Sequence, residues 1–586
     1  MRQWMVAAKK ADFYVIAEKF HVDPVVARII RNREVIGEKN IRIYLGGNLS
    51  DLSDPHQMKD MDRLGEILAQ KIRKQVHIRI IGDYDVDGVT SSHLFLTALR
   101  RVGAKVDVVI PHRIQDGYGL SLHLLQQAKE DGVDTILTCD NGIAAIDEIA
   151  WAKAQKMTVL VTDHHAVPFE EHEGRRTEKK SLADAVVNPH QQDCGYPYKE
   201  LCGAGVAWNV IRVLYENYDM DKREAEDLLD FVAMATVCDV MSLTGENRIL
   251  VKEGLKRIRH TKNIGLQALM QACNVQPENI SAYHFGYVLG PCVNATGRLD
   301  TARHALRLFE TGQETEAEEI ARDLVDLNQE RKELTLQGVE MAKKLCEEGG
   351  YENDPVLVLF LPDVHESIAG LIAGRIREMY NRPVFVLTRG EEGVKGSGRS
   401  TENYSMYENM CGCAELFTKF GGHPMAAGLS LPEENVEKFR RKINENCPLT
   451  VEEVCPDIHI DMAMPVGYAS TELVHQFALL EPFGKDNPSP LFADRNLSIS
   501  RMWLIGKNRN VLRMSVLSEY GQPVPVIFFG DVETLFAYFT EKFGQEEVEN
   551  ALHGRKNRIL FSMVYTAKID FYQGNENLQL EMKYYR

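Results

Sequence analysis

The sequence lacks the marks of several common protein classes. No run of about 18 apolar residues occurs, so an ordinary membrane-spanning helix is excluded. The first residues, MRQWMVAAKKADFY, carry lysines where a signal peptide has its apolar core. The 11 cysteines form no CxxC pair and have no histidine at zinc-ligand spacing, Cys411 and Cys413 being the closest approach. We therefore expect free thiols in a cytoplasmic protein with no membrane association.

Positive charge is also scarce. The chain has 68 Lys and Arg against 85 Asp and Glu, which gives a formal net charge of −17. This balance excludes a protein that holds nucleic acid by its overall charge, so any such contact must come from local clusters of Arg and Lys. With 586 residues, 44% of them hydrophobic, the chain is long enough for roughly three or four well-packed domains.

The spacing of apolar residues predicts an α/β protein built from consecutive segments. Strands that alternate with helices predict a mostly parallel sheet covered on both faces, then a smaller α/β domain, and short strands near the end predict a small barrel. The predicted segments are a helical extension (1–70), the parallel-sheet domain (71–300), connecting helices (301–350), the smaller α/β domain (351–450) and an OB-like barrel (451–586).

Residues 77–91, HIRIIGDYDVDGVTS, are the most informative stretch. An apolar run, typical of a strand, ends in a glycine and three aspartates at alternate positions, Asp83, Asp85 and Asp87. Carboxylates crowded at the end of a strand repel one another, and a cation between them removes that cost. The stretch therefore favours a metal site.

Three other interpretations of the stretch stay open from these residues alone. An EF-hand loop shares the D-x-D-x-D-G opening but needs a Glu six residues after the glycine, where this chain has Leu94. A phosphatase of the haloacid dehalogenase type also places D-x-D after a strand and uses the first Asp as its nucleophile. The third interpretation is a solvated acidic turn without a function.

Acidic residues and histidines also follow later elements of the predicted sheet domain. Asp140 follows the strand TILTC, the triplet Asp163-His164-His165 follows MTVLVT, and Asp239 ends a helical stretch. The carboxyl ends of parallel strands meet at one edge of a sheet, where ligands bind, so we expect these side chains to converge in one cleft.

The converging residues offer carboxylate oxygens and imidazole nitrogens. This mixture suits Mn²⁺ or Mg²⁺ better than Ca²⁺ or a thiolate-bound zinc. Two such ions about 4 Å apart, sharing one carboxylate, could activate water and neutralise charge on a phosphodiester. The candidate ligands are Asp83, Asp85, Asp87, Asp140, His164, His165 and Asp239.

The smaller α/β domain contains two predicted glycine-rich loops, KGSGRS at 395–400 and GGH at 421–423. Glycine lets backbone N–H groups approach a phosphate closely, and Arg399 can bind a phosphate through two parallel hydrogen bonds. Ordinary turn chemistry, and a purely structural role for His423, are the alternatives.

The last segment mixes an aromatic residue with basic residues on adjacent predicted strands. These are Trp503, Lys507, Arg509 and Arg513, a composition typical of a small barrel that binds single-stranded nucleic acid. A β-rich domain without a ligand is the alternative.

The order of motifs resembles a known family. DYDVDG, CDNG, DHH and the Asp of TVCDV resemble the DHH phosphoesterase superfamily, and the GGH loop resembles its companion DHHA1 domain. The resemblance is closer still to the bacterial single-strand-specific exonucleases of that superfamily. The motifs that carry it are HRIQDGYGL, GPCVNATGRLD, KGSGRS, FGGHPMAAGLSL and EPFGKDNPSPLF, so it covers nearly the whole chain.

The resemblance implies roles for single residues. The implied metal ligands are Asp85, Asp87, Asp140, His164 and Asp239, with Asp83 and His165 bound to metal or beside it. Asp140 would bridge two ions, and the implied catalytic residues are Asp140, His165 and His423. Residues matching positions that contact DNA phosphates, the 5′ end included, are Arg113, Arg298, Ser397 and Arg399. Gly421, Gly422, Trp503 and Arg509 complete the predicted DNA contacts.

The implied activity is processive 5′→3′ hydrolysis of single-stranded DNA to 5′-mononucleotides with two Mn²⁺ or Mg²⁺ ions, in DNA repair and recombination. The implied partners are single-stranded DNA, a helicase and a single-strand-binding protein, and we expect a monomer.

One alternative function is that of a DHH phosphodiesterase for short oligonucleotides or cyclic dinucleotides, a group that typically lacks the barrel. Another is a non-catalytic single-strand-binding protein, in which ligand positions would be lost; here each one is filled.

Overall fold

The computed structural model describes residues 3–112, 116, 119–172, 175–299, 301–351, 353–390, 393–506, 509–572 and 574–586. The chain divides into two compact units. The larger unit comprises Leu52–Met241 and Ile249–Pro456, and the smaller unit comprises Gln3–Asp51, Ser242–Arg248 and Asp457–Arg586. Within the described ranges, we find no helix that is both long and apolar enough to cross a membrane.

The larger unit contains the predicted parallel sheet. Its strands, in spatial order, are Lys105–Val109, His77–Ile81, Thr135–Cys139, Thr158–Thr162 and Ala185–Val187, each parallel to its neighbour. The central strands are buried because helices cover both faces, which explains their continuous apolar runs. The three strands that carry the predicted site residues are therefore adjacent in the sheet, and their carboxyl ends lie at the same edge.

Helices surround this sheet. They are Met61–Arg73, Val86–Arg101, Leu122–Glu130, Ile146–Ala154, Gly203–Glu216, Lys222–Glu226, Leu229–Cys238, Gly245–Ile258, Ile264–Ala272 and Gly290–Leu299, and Gly245–Arg248 count with the smaller unit. A short helix, Ala282–His284, and a π-helical turn, Phe285–Leu289, precede the last of these without a break. An antiparallel pair, Phe169–His172 with Arg175–Glu178, lies outside the sheet.

Two helices, Ala302–Glu310 and Glu314–Glu348, lead to a second sheet in the larger unit. The strands of the second sheet, in spatial order, are Lys419–His423, Ala426–Leu431, Gly393–Arg399, Val384–Gly390 and Leu357–Phe360. Its helices are Glu366–Tyr380, Met406–Cys411 and Val436–Glu445.

The prediction of two glycine-rich loops in this region was wrong, because both stretches lie in strands of the second sheet. A Cβ atom on Gly396 would lie 2.4 Å from Leu387 Cδ2, and one on Gly398 would lie 2.3 Å from Met406 Sδ. The glycines therefore let neighbouring side chains cover the strand closely rather than form a turn.

The smaller unit contains the predicted barrel. Its strands run in the order Phe492–Ile505, Val511–Leu517, Pro523–Phe528, Asn575–Tyr585 and Leu560–Tyr572, and the last pairs back onto the first. This pairing closes the sheet, so the predicted OB-like barrel is confirmed. Shorter strands are Trp4–Val6, Ile458–Ile460 and Met462–Ala463, and the helices after residue 457 are Thr471–Gln476, Val532–Phe543 and Gln545–Leu552.

The N-terminal helices belong to the core of the smaller unit. They are Phe13–Phe20, Pro24–Asn32 and Glu38–Gly46. Val26 and Ile30 are fully buried in the same apolar cluster as Leu480, Phe492 and Met514. The cluster is continuous across residues about 450 positions apart in the chain because helices and barrel each bury an apolar face against the other.

Candidate metal centre

The loop after strand His77–Ile81 is held tightly against the start of the following helix. Asp85 caps helix Val86–Arg101, and its Oδ1 accepts a hydrogen bond from Gly88 N at 3.0 Å. A Cβ atom on Gly88 would lie 2.5 Å from both the backbone nitrogen and the backbone oxygen of Asp83, so only glycine permits this approach. The G-D-Y-D-V-D-G pattern thus brings three carboxylates into one turn.

Asp87 faces the N-terminus of a second helix. Its two carboxylate oxygens accept hydrogen bonds from Ala204 N at 2.7 Å and Gly203 N at 2.6 Å, in the first turn of helix Gly203–Glu216. The positive end of that helix stabilises the carboxylate and fixes its orientation. Asp87 is almost completely buried.

Asp140 follows strand Thr135–Cys139 in a left-handed backbone conformation, with φ of 62°. The Asn141 side chain holds this turn by donating to Ile81 O at 3.0 Å and to Cys139 O at 2.9 Å. Asp140 Oδ1 lies 3.0 Å from His164 Nε2 and 4.0 Å from His165 Nδ1. Asp140 therefore connects the loop after strand His77–Ile81 with the histidines that follow strand Thr158–Thr162.

Asp163 orders the D-H-H triplet. Its Oδ1 accepts from His164 N at 2.7 Å, from His165 N at 3.0 Å and from His165 Nδ1 at 2.8 Å. Its Oδ2 accepts from Ile143 N at 2.9 Å. We had not predicted a role for Asp163, although it is the first residue of the D-H-H motif and the signal was therefore present.

Asp239 reaches the site from the C-terminal end of helix Leu229–Cys238. Its Oδ2 lies 3.6 Å from His164 Nε2, and that same nitrogen lies 3.7 Å from Asp87 Oδ2. About a quarter of the Asp239 side chain is exposed, whereas Asp87 and Asp140 are buried, so Asp239 lies on the open side of the site.

The predicted ligands form three overlapping groups whose ligand atoms lie within 4.8 Å of one another. The groups are Asp83 with Asp85 and Asp140, Asp87 with His164 and Asp239, and Asp140 with His164 and His165. Asp140 belongs to two groups and His164 to two. The structure thus brings together every residue that the sequence predicted for a metal site.

The electrostatics of the site fit a cation. Burial raises the pKa of Asp83 well above its usual value, and the neighbouring Asp85 raises it further. Burial also raises the pKa of Asp140 well above its usual value, and the charge of Asp87 adds to this shift. Burial lowers the pKa of His164, which keeps its ring neutral and able to bind a metal. Among the described residues, the buried atoms Asp83 Oδ1 and His164 Nε2 have no hydrogen-bond partner. A cation would satisfy both atoms and favour the charged carboxylates.

A cavity of about 440 Å³ lies between the first loop and the second sheet, inside the larger unit. Tyr84, Ser367, Ser397, Lys419 and Gly421 are among the residues that line it. Beside it, Arg298 Nη1 donates to Ser367 O at 2.6 Å. The predicted phosphate contacts Ser397 and Gly421 therefore share one cavity with the loop that carries the aspartates.

The other predicted contacts of this region lie on strands of the second sheet. Arg399 Nη1 donates to Gly398 O at 2.8 Å, and Gly422 and His423 end the exposed edge strand of the second sheet. Arg113 lies outside the described residues.

The barrel of the smaller unit presents one aromatic side chain between two arginines. The Cζ atoms of Arg501 and Arg513 lie 5.8 Å and 5.9 Å from the centre of the Trp503 ring, and Trp503 pairs with Arg513 across adjacent strands. Arg509 lies in the turn that joins those strands, with φ of 52°. Of the predicted mixture, Trp503, Arg509 and Arg513 thus lie on adjacent strands of the barrel or in the turn between them, and Lys507 lies outside the described residues.

Comparison with known protein families matches each domain in turn. The family model of the DHH family N-terminal domain matches residues 77–236, the DHHA1 domain matches 353–447, and the RecJ OB domain matches 460–584. The single-stranded-DNA-specific exonuclease RecJ of Haemophilus influenzae is 32% identical over 582 residues, 96% of this chain and 96% of the relative. The chain belongs to the RecJ family.

Two further comparisons bear on the extent of the RecJ likeness. The RecJ of Bacillus subtilis is 33% identical over 511 residues, which span 86% of this chain but 63% of that relative. The crystal structure of Thermus thermophilus RecJ in complex with Mn²⁺ matches all of this chain and 79% of that one, with 24% identity and a TM-score of 0.79. That structural match shows that the RecJ fold extends over the whole chain.

Proposed function

We propose that this RecJ-family chain is a 5′→3′ exonuclease that hydrolyses single-stranded DNA to 5′-mononucleotides. The observation that carries the proposal is the buried cluster of carboxylates and imidazoles at the carboxyl edge of the parallel sheet. A cluster of buried acids at one sheet edge has a high electrostatic cost without cations, and the family acts on a polyanion. Its relatives' names specify single-stranded DNA.

The assigned ion sites follow the geometry of the donor atoms. We assign one Mn²⁺ or Mg²⁺ to Asp83, Asp85 and Asp140, and a second to Asp87, His164 and Asp239. Asp140, whose Oδ1 lies 3.0 Å from His164 Nε2, would be the carboxylate that the two sites share. When bound, two such ions supply charge neutralisation for the phosphodiester and lower the pKa of the attacking water. Asp163 holds the ring of His165 in place beside them.

The remaining assignments concern the DNA and the domains. The phosphates of the strand, including its 5′ end, are bound by Arg113, Arg298, Ser397 and Arg399. The path of the strand is lined by Gly421 and Gly422, and His423 acts near the scissile phosphate. On the barrel, single-stranded DNA is bound by Trp503 and Arg509.

The domain limits are 71–300 for the DHH domain, 351–450 for the DHHA1 domain and 451–586 for the OB-like domain, with 1–70 and 301–350 as helical extension and connector. The protein acts in the cytoplasm as a monomer, in repair and recombination, with a helicase and a single-strand-binding protein.

One substitution tests the proposal. Asp140→Ala removes the bridging carboxylate, and we expect degradation of 5′-labelled single-stranded DNA in Mn²⁺ to fall at least a thousandfold, a loss of about 4 kcal/mol of transition-state stabilisation. Products are identified on denaturing gels and by chromatography. Asp147→Ala, an exposed carboxylate on helix Ile146–Ala154, is the matched control and should be unaffected.

Two results would overturn the assignment. Undiminished activity of Asp140→Ala would exclude a bridging role for that carboxylate. Release of oligonucleotides from within the strand, or equal degradation of double-stranded DNA by the wild-type protein, would exclude a single-strand-specific exonuclease.

A further inference from the structure

The larger unit presents a pair of stacked tyrosines to solvent. The rings of Tyr283 and Tyr287 have centres 5.1 Å apart and planes 23° apart, and the residues are 62% and 72% exposed. Phe285 and Leu289, in the same segment, are completely buried and supply its packing. The tyrosines are therefore not needed for the core, and an ordered aromatic face remains available to a ligand.

The tyrosines belong to a continuous helical segment, residues 282–299, which we call the cleft helix. Its middle contacts the residue next to the candidate metal ligand Asp239. Cys238 Sγ donates to Phe285 O at 3.3 Å, and a Cβ atom on Gly290 would lie 2.3 Å from that sulfur. The π-helical turn Phe285–Leu289 thus packs directly on the end of the helix that delivers Asp239.

The other half of the cleft helix follows the loop of aspartates. Asn294 Oδ1 accepts from Val86 N at 3.1 Å, and a Cβ atom on Gly297 would lie 2.5 Å from Tyr84 O. Arg298 then reaches Ser367 O. Arg298 and Tyr287 are 11 residues apart in this segment, which corresponds to about 16 Å along the helix axis. One rigid element therefore connects the proposed phosphate contact, the metal centre and the exposed tyrosines.

We propose that Tyr283 and Tyr287 form a stacking platform for bases of the single-stranded DNA substrate on the 3′ side of the cleaved bond. The proposal rests on the proposed exonuclease function. If the 5′ phosphate binds near Arg298, the uncleaved strand must leave the metal centre in another direction, and the tyrosines lie at the opposite end of the cleft helix. Stacking on aromatic rings is independent of base identity, as an exonuclease requires. It also provides attraction that a chain of net charge −17 does not obtain from overall charge.

The test compares two substrate lengths in two pairs of variants. Tyr283→Ala with Tyr287→Ala removes both rings, whereas Tyr283→Phe with Tyr287→Phe keeps them and removes the hydroxyls. For a 5′-phosphorylated 20-mer we expect the alanine pair to raise KM about tenfold with kcat unchanged, because stacking on one base typically contributes that much. A 5′-phosphorylated dinucleotide is too short to span about 16 Å and reach the platform, so its KM should stay unchanged. The phenylalanine pair should behave as wild type.

A binding measurement without divalent cations separates this inference from the proposed function. We expect the alanine pair to bind a fluorescein-labelled 20-mer about tenfold more weakly in EDTA, by anisotropy, whether or not the protein cleaves DNA. Tyr14→Ala, a 77% exposed tyrosine of the smaller unit, is the matched control and should bind as wild type.

Three outcomes would overturn the platform. Wild-type affinity and KM in the alanine pair would exclude a contact with DNA and leave a protein partner as the function of the rings. Equal loss for the dinucleotide and the 20-mer would indicate damage to the metal centre instead. Loss in the phenylalanine pair equal to that in the alanine pair would assign the contact to the hydroxyls. Failure of the wild-type protein to cleave either DNA would contradict the proposed function alone.

Discussion

Asp163 shows how one residue without a predicted role organises the site. Burial by itself would raise the pKa of Asp163. The hydrogen bond from His165 nevertheless holds that pKa below its usual range. Burial would lower the pKa of His165, but the hydrogen bond to Asp163 and its negative charge raise that pKa to about 9. The Asp163 carboxylate therefore holds the ring of His165 and fixes the orientation of both histidines through their backbone N–H groups.

A second buried carboxyl group, Asp230, has no such cationic partner within the described part of the chain. It accepts from Thr261 Oγ1 at 2.6 Å and from Phe231 N at 2.8 Å, and burial raises its pKa from 3.8 to about 6. A pKa that is higher in the folded state favours folding below the unfolded pKa, near 4, and this contribution is lost as the pH rises through 6. At neutral pH the folded protein must keep a charged carboxylate buried.

Asp230→Asn should therefore stabilise the protein at high pH. The asparagine is neutral at every pH and has nearly the same shape, so the free energy of unfolding should rise by up to about 3 kcal/mol at pH 8 and remain unchanged at pH 4. Urea unfolding at the two pH values measures the difference. Asp147→Asn, at an exposed position, controls for the loss of one negative charge. An equal effect of Asp230→Asn at pH 4 and pH 8 would exclude a raised pKa as its cause.

At the scale of elements, the N-terminus of helix Gly203–Glu216 is part of the metal centre. Its first backbone N–H groups bind Asp87, and a Cβ atom on Gly203 would lie 2.6 Å from Asp140 Cβ. No metal-ligand motif in the sequence includes this glycine. The requirement arises because the helix must approach two carboxylates from different strand ends at once.

Gly203→Ala should therefore inactivate the enzyme without unfolding it. We expect the added methyl group to displace Asp140 and to lower kcat on single-stranded DNA at least a hundredfold, while the circular dichroism spectrum stays unchanged. Gly205→Ala is the matched control, because its Cβ atom would meet Leu201 at an ordinary 3.4 Å in the same helix turn. Similar activities of the two variants would contradict the proposed close approach.

At the scale of the whole molecule, the smaller unit is assembled from three separate segments of the chain. Arg248 is almost fully buried and belongs to the segment Ser242–Arg248. It joins this segment to the other two, Gln3–Asp51 and Asp457–Arg586. Its guanidinium donates to Tyr44 O at 2.8 Å, Leu480 O at 2.8 Å and Leu479 O at 2.9 Å, and it lies 4.0 Å from the centre of the Tyr44 ring. One side chain thus satisfies carbonyls on both an N-terminal helix and the segment before the barrel.

Arg248→Ala should loosen the smaller unit. Leu480 O keeps a donor, Asn487 Nδ2 at 2.8 Å, but Tyr44 O and Leu479 O lose the Arg248 guanidinium. A buried carbonyl left without a donor costs about 1 to 3 kcal/mol, so we expect a loss of about 2 kcal/mol or more. Limited proteolysis with peptide mapping should show faster cleavage within both 3–51 and 457–586. Arg495→Ala, at an exposed position, should leave the cleavage rate unchanged. Faster cleavage confined to either segment alone would contradict the bridging role of Arg248.

The parallel sheet and the convergence of the candidate metal ligands could be predicted from the sequence because their signals are local. Strand periodicity, together with acidic residues at strand ends, was sufficient to place Asp83, Asp87, Asp140 and His164 at one edge. Helices Val532–Phe543 and Gln545–Leu552 were not predicted, because the segment was interpreted as strands and turns throughout.

Only the tertiary structure decided the rest, since it depends on contacts between residues far apart in the chain. The glycine-rich stretches of the second sheet resemble loops in sequence, yet Leu387 and Met406 occupy the space above Gly396 and Gly398 and make them strands. Likewise, the sequence pairs no tyrosine with the metal centre. The helical segment that carries Tyr283 and Tyr287 packs on the end of the helix that delivers Asp239, because Cys238 and Gly290 meet across a gap of about 50 residues. Local patterns thus determined the chemistry of the site, whereas long-range packing decided what surrounds it.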